Sequence, residues 1–171
     1  MTVQFRISSV ALIDPLRLYD LLRLRVDVFV VEQECAYPEL DGRDVEPDAV
    51  MLWAEEDEQV LATVRLLVDH ADAASAAATD PAAAADALRI GRVATAPAAR
   101  GRGLAADLMR LALDRAEGRL VRLDAQAHLE GWYARFGFVV DGPGFLEDGI
   151  PHVPMSRAAT PPEAVSSATH D

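Results

Sequence analysis

Val93-Ala94-Thr95-Ala96-Pro97-Ala98-Ala99-Arg100-Gly101-Arg102-Gly103-Leu104-Ala105 is the stretch on which the fold turns. Residues 88–94 enter it as an apolar, strand-like run, and Leu104, Leu108, Leu111 and Ala112 leave it at helical spacing. Between the two, residues 100–105 form a turn rich in residues without bulky side chains. Such residues let backbone N–H groups approach a diphosphate, and the helix N-terminus that follows adds partial positive charge. Arg100 and Arg102 add full charges. The expectation is an anion site built from Arg100, Gly101, Arg102, Gly103, Leu104 and Ala105.

A rival reading must be weighed, because Gly101-x-Gly103-x-x-Ala106, with Asp124 roughly 20 residues further on, also fits a dinucleotide fingerprint. In that fold the first glycine directly follows the strand, whereas Pro97, Ala98, Ala99 and Arg100 intervene here. It also needs further strand–helix–strand units, and one short helix and a few strands are what follow Asp124. Both points count against a nicotinamide cofactor.

Outward from the loop, the pattern is that of one α/β domain. Residues 3–7 alternate like a half-buried strand, and Asp14-Pro15 supply an N-cap and a first-turn proline for a helix running to about Val31. Tyr19, Leu22, Val26, Phe29 and Val30 are its expected apolar face. An acidic loop with two prolines covers residues 32–48, and apolar runs at 50–54 and 60–68 flank an acidic connector as an antiparallel hairpin. Residues 71–87 are too weakly apolar to anchor a core and read as a surface insertion, partly helical. Residues 120–125 are a strand; a short helix then carries Leu129, Trp132, Tyr133 and Phe136 on one face, with Gly137 at its C-cap. Segments 138–140 and 153–155 complete a mixed sheet, and residues 158–171 read as a disordered tail after a domain spanning 1–157.

Composition narrows the chemistry. With 171 residues and 51% hydrophobic content the chain builds one real core. Sixteen basic residues against 28 acidic ones give a net charge of -12, which argues against nonspecific nucleic-acid binding and against anionic membranes. Every basic residue is arginine, so P-loop lysines and lysine Schiff bases are excluded. The single cysteine, Cys35, forbids an intrachain disulfide and a cysteine-built zinc site, and no metal is expected; a reducing, cytoplasmic setting is the simplest reading. No export signal or membrane span is read in the sequence.

The loop and its surroundings resemble the GNAT superfamily of acyl-CoA-dependent N-acyltransferases, whose pyrophosphate loop is Gln/Arg-x-x-Gly-x-Gly/Ala: Arg100, Gly103 and Ala105 match it. Val93-Ala94-Thr95-Ala96-Pro97 looks like the family's preceding strand, and Trp132-Tyr133-Ala134-Arg135-Phe136-Gly137-Phe138 like its second motif. The resemblance narrows to the ElaA-like branch through Phe29-Val30-Val31-Glu32-Gln33, Cys35-Ala36-Tyr37-Pro38, Asp41-Gly42-x-Asp44, Ile90-Gly91-Arg92-Val93, Ala125-Gln126-Ala127-His128-Leu129 and Glu147-Asp148-Gly149-Ile150-Pro151-His152. It covers roughly residues 16–157 and departs in the alanine-rich stretch and the tail. It implies a GNAT fold, with a mostly antiparallel central sheet flanked by helices, and acetyl-CoA as acyl donor. It further implies that backbone groups of Val93, Ala94 and Thr95 pair with the pantetheine arm as an added strand does.

The same resemblance implies roles for side chains. Attack on a thioester needs a neutral amine, yet a lysine-like amine has a pKa of roughly 10.4, so a base must take its proton. The leaving thiolate needs a proton or a hydrogen bond, and Tyr133 matches the family's donor. Glu32, at the end of the long helix, is the expected catalytic base, with Glu34, His128 and His152 as acceptor-binding residues. Cys35 is expected to be a tucked-away thiol, since the amine can attack the thioester itself. From Asp27 to Glu58 twelve acids face Arg43 alone, netting 1 - 12 = -11, which either attracts a cationic acceptor or is a solvated loop. The acceptor is a small-molecule or peptide amine, and pairing of the hairpin or last strands into a homodimer is compatible with the pattern. Arg25 and Phe29 form an Arg-x-x-x-Phe pair that also resembles acyl-homoserine-lactone synthases, and a non-catalytic acyl-CoA sensor is the alternative from another class.

Overall fold

The computed structural model describes residues 2–69 and 87–160. The alanine-rich reading of 71–87, Ala87 excepted, and the tail from residue 161 onward lie outside the described residues. The strands are β1 (Gln4–Ser8), β2 (Val50–Glu56), β3 (Gln59–Val68), β4 (Leu88–Thr95), β5 (Val121–Gln126), β6 (Val139–Val140), β7 (Phe145–Glu147) and β8 (Ile150–Arg157). The helices are α1 (Pro15–Val26), α2 (Leu104–Arg115) and the short α3 (Glu130–Ala134). Among the described residues they form one sheet in the order β1-β2-β3-β4-β5-β8-β6, with β7 on β8, antiparallel except where β4 meets β5. The three-residue β7 escaped sequence reading because so short a run carries no periodicity.

Alternation along β2 sorts the helices to opposite faces. Met51 and Trp53 pack with Leu21 of α1, while Leu52 and Ala54 join the larger core with Leu108, Met109 and Ala112 of α2. α1 starts as expected: the Asp14 carboxylate accepts from the N–H groups of Leu16 and Arg17, with Pro15 in the first turn. It continues as a π-helical turn, Asp27–Glu32. Its buried residues are Leu21, Leu24, Arg25 and Val28; of the expected face, Leu22 and Phe29 are half-buried against the core, whereas Tyr19 is 64% exposed beneath the Arg23 guanidinium. The face was misread because it was assigned by apolar content, and the charged Arg25 holds a core position.

The site depends on one departure from regular pairing. β4 and β5 pair only at Leu88↔Val121 and Arg89↔Arg122; beyond, β4 follows β3 and β5 follows β8 as far as Gln126↔His152. The two strands therefore splay into a wedge. At its vertex two arginines stand in register, a repulsive arrangement that Asp69 resolves: its carboxylate lies 2.9 Å from Arg89 Nε and 3.1 Å from Arg122 Nη1. Asp124 takes Arg89 Nη1 at 2.6 Å. Ala158 to Thr160 are described, and the Thr160 N–H donates to Gly118 O at 2.7 Å.

Candidate active site

The wedge opens into a cleft of about 930 Å³, lined from β4 by Val93, Ala94 and Thr95, from the π-helical turn by Phe29 and Glu32, and from α3 by Trp132 and Tyr133. Among the described residues, the β4 edge from Ile90 to Thr95 that faces this space has no strand partner. Unpaired strand edges accept an extended ligand through main-chain hydrogen bonds. Midway, the β3–β4 register shifts by one residue so that Arg92 and Val93 both oppose Val64, and Arg92 adopts φ 53°. This β-bulge re-aims the backbone at the centre of the cleft.

At the cleft mouth stands the loop expected to take an anion. Gly101 and Gly103 have φ 78° and 80°, left-handed values that side-chain-bearing residues adopt only with strain. Gly103 is the N-cap of α2 and offers no side chain, so the first-turn N–H groups of a twelve-residue helix are left for a ligand. Arg100 and Ala105 line the cleft; Gly101, Arg102, Gly103 and Leu104 do not. Both loop arginines already hold carboxylates: Arg100 Nη2 lies 2.7 Å from Glu32 Oε2, and Arg102 Nη2 3.1 Å from Glu56 Oε2. All four side chains are partly exposed, so these pairs are exchangeable.

Tyr133 is 7% exposed and its ring sits edge-on to Trp132 at 4.8 Å, with Trp132 against Phe136 at 5.0 Å. The regular helix carrying them is shorter than expected, since a 3-10 turn (Ala127–Leu129) precedes it. Among the described residues the Tyr133 hydroxyl has no hydrogen-bond partner, and burial pushes its pKa up to about 12. The phenol is therefore neutral at physiological pH and free to donate into the cleft.

Of the remaining candidates, His128 and His152 line the cleft and Glu34 does not; Glu34 is exposed, with φ 54°. Cys35 is buried, its thiol 3.4 Å from Gln33 O and 3.7 Å from Asp148 O, as a tucked-away thiol should be. Gln126 Nε2 donates to Gln33 Oε1 at 3.1 Å, tying the open end of β5 to the π-helical turn across the cleft.

The acidic segment is solvated only in part: Asp27, Glu34, Asp48, Asp57 and Glu58 are exposed, while other acids of the segment hold arginines. Arg25, fully buried, lies 2.5 Å from Glu39 Oε1 and 2.7 Å from Asp44 Oδ1. Arg65 bridges Asp41 and Asp44 at 2.8 and 3.1 Å, and Arg92 reaches Glu39 and Asp41 at 2.8 and 3.1 Å. Glu46 pairs with Arg43, and Glu55 with Arg6 and Arg17. Burial alone would raise the acids of this network, but hydrogen bonds from Arg65 to Asp41 and from Arg25 to Asp44 outweigh it and hold both below the usual carboxylate range. Tyr37 is driven the other way, first by burial and then by its hydrogen bond to Glu39. Arg25 thus serves the fold, while Phe29 of the Arg25/Phe29 pair lines the cleft. Sequence reasoning missed this network because bonded partners in it lie up to 53 positions apart; the signal available was a charged residue inside an apolar helical face.

Residues 25–159 match the acetyltransferase (GNAT) domain family. A UPF0039 protein of Mycobacterium tuberculosis is 47% identical over 146 residues, covering 85% of this chain and 86% of that protein. The Escherichia coli protein ElaA is 36% identical over 145 residues, covering 82% of this chain and 87% of its own length. Among solved structures, an acyl-CoA N-acyltransferase from Pseudomonas aeruginosa superimposes with a TM-score of 0.78 at 42% identity, over 92% of this chain and all of that one.

Proposed function

This chain belongs to the GNAT acetyltransferase family, and from that premise we propose that it transfers an acetyl group from acetyl-CoA to a primary amine by direct attack in a ternary complex. The observation that carries the reading is the splay of β4 from β5, which leaves a strand edge, an unpartnered tyrosine hydroxyl and an uncapped helix N-terminus around one cleft. In this reading the pantetheine arm lies along Val93, Ala94 and Thr95, and the diphosphate sits on residues 101–105. Arg100 and Arg102 exchange their carboxylates for phosphate. Glu32, released from Arg100, then faces the ammonium group of the acceptor, with His128 and His152 further along the cleft and Glu34 at its rim. Residues 1–157 are the catalytic unit, in a reducing, cytoplasmic setting that accords with the single buried thiol; no helix among the described residues is long and apolar enough to cross a membrane.

Attack of the amine nitrogen on the thioester carbon forms the C–N bond, and collapse of the tetrahedral intermediate breaks the C–S bond. A pKa pushed up to about 12 makes Tyr133 a poor full proton donor to a thiolate, whose conjugate acid titrates near 8.5, roughly 3.5 units lower and so about 5 kcal/mol uphill. Tyr133 acts instead as a hydrogen-bond donor that stabilises the departing sulfur. The bulge at Arg92 and Val93 turns backbone toward the carbonyl oxygen where negative charge develops.

Isothermal titration with acetyl-CoA tests the donor site. Wild type should bind in the micromolar range, and Ala105→Trp, which fills the lining without disturbing a positive φ, should abolish binding while remaining folded. A bulky residue at Gly103 would confound blockage with backbone strain, because that position has φ 80°. Absence of binding by folded wild type would overturn the assignment.

A further inference from the structure

We propose that His152 is the base that takes the acceptor's proton, with Glu147 as its counter-charge; the role rests on the acetyl-transfer reading above. His152 lies on β8, in register with Gln126 at the open end of β5 and with Phe145 of β7, and it lines the cleft. Its ring stacks on Phe145, centroids 5.7 Å apart and planes inclined by 21°. Nδ1 stands 2.9 Å from the Ile150 carbonyl oxygen. A carbonyl only accepts, so Nδ1 carries the proton of the neutral ring and the lone pair is left on Nε2.

Nε2 is 3.9 Å from Glu147 Oε2, too far for a hydrogen bond, so its lone pair is unengaged and the carboxylate stands beside it as a counter-charge. The elements packed around the ring bring no other charge as near: β5 contributes the neutral Gln126, β7 contributes Phe145 and Glu147, and the Cys35 thiol is engaged with Asp148 O. The competing groups are less suited. Glu32, even once released from Arg100, is an exposed side chain whose charge water screens, and His128 has no hydrogen bond among the described residues to set its tautomer. His152 alone combines an oriented lone pair, a counter-charge and a side chain only 11% exposed.

The step balances without a further reactant. The ammonium form of the acceptor gives one proton to Nε2, and the resulting imidazolium is held by Glu147. The freed nitrogen lone pair forms the C–N bond, the C–S bond breaks, and the second N–H proton ends on the coenzyme thiolate. The imidazolium then returns its proton to solvent.

Two measurements decide it. Imidazole ¹⁵N spectra of the full chain should show His152 protonated on Nδ1 in its neutral form; protonation on Nε2 overturns the proposal. Kinetics use acetyl-CoA with whichever of spermidine, lysine methyl ester and a free N-terminal tripeptide reacts fastest. His152→Asn keeps an N–H toward Ile150 O and should lower kcat/KM for the amine on the order of 100-fold, erase the acidic limb of its pH profile, and leave acetyl-CoA binding unchanged. Glu147→Gln, on an exposed side chain, should shift that limb to lower pH, and it carries the test if His152→Asn does not fold. Activity within about threefold of wild type with the limb intact overturns the role of His152 alone. No turnover of any amine by acetyl-CoA-bound wild type overturns the acetyl-transfer reading and this role with it.

Discussion

Arg25 and Arg100 hold carboxylates at the same distance, 2.7 Å from Asp44 and from Glu32, yet they do opposite things because one pair is buried and the other is wet. Around Arg25 every charge is desolvated and multiply bonded, so losing one member strands the rest. Around Arg100 water screens the pair, and its strength is small enough for a diphosphate to replace it. The protein thus uses one residue type for both architecture and ligand exchange, and exposure decides which. An all-arginine cation set suits this arrangement, since the guanidinium stays charged when buried and binds carboxylate or phosphate in the same forked geometry.

The contrast breaks most visibly at its buried end. Arg25→Leu should cost about 3–5 kcal/mol, read by chemical denaturation, because Glu39 and Asp44 lose a partner away from water. The same network sets an acid response. Asp41 and Asp44 have folded-state pKa values below their unfolded ones, so they contribute stability that is present above roughly pH 4 and lost as pH falls toward the folded values. Thermal melts should therefore steepen their decline below about pH 4, and Asp44→Asn should flatten it.

Tyr133 tests the opposite case, a buried polar group without a hydrogen-bond partner among the described residues. Tyr133→Phe should lower kcat by about 100-fold with little change in the KM for acetyl-CoA, whereas unchanged turnover would make it a packing residue. At the wet end, Arg100→Ala should weaken acetyl-CoA binding by about tenfold in calorimetry without altering the melting temperature. Glu56→Gln, which frees Arg102, should tighten binding by only about twofold, and added salt should erase the gain.

What the sequence disclosed follows the same division. The loop at 100–105, the Asp14 cap and the hairpin were legible because each is written in contiguous residues with local physical causes. Tyr133 was legible as motif but not as chemistry, since its lack of a partner is a property of the packed cleft. The Arg25 network was illegible: Glu39, Asp41, Asp44, Arg65 and Arg92 meet only after the loop folds over β3 and β4, and composition alone represented them as excess negative charge. The orientation of His152 was hidden for the same reason, because it rests on the carbonyl of Ile150 within a hairpin that no periodicity announced.

Asp69 has a second bond besides those to Arg89 and Arg122: its N–H donates to Ala87 O at 2.8 Å, joining the chain just before residue 70 to the chain just after residue 86. The entry and exit of that segment are thus stapled at the vertex of the wedge. A loop whose ends are pinned pays only for closure, about 0.6 kcal/mol for each doubling of its length. The staple fixes the place where β4 and β5 part. For engineering, the same staple makes this the position at which a reporter or a second domain can be spliced into the chain with the register of the sheet left as it is.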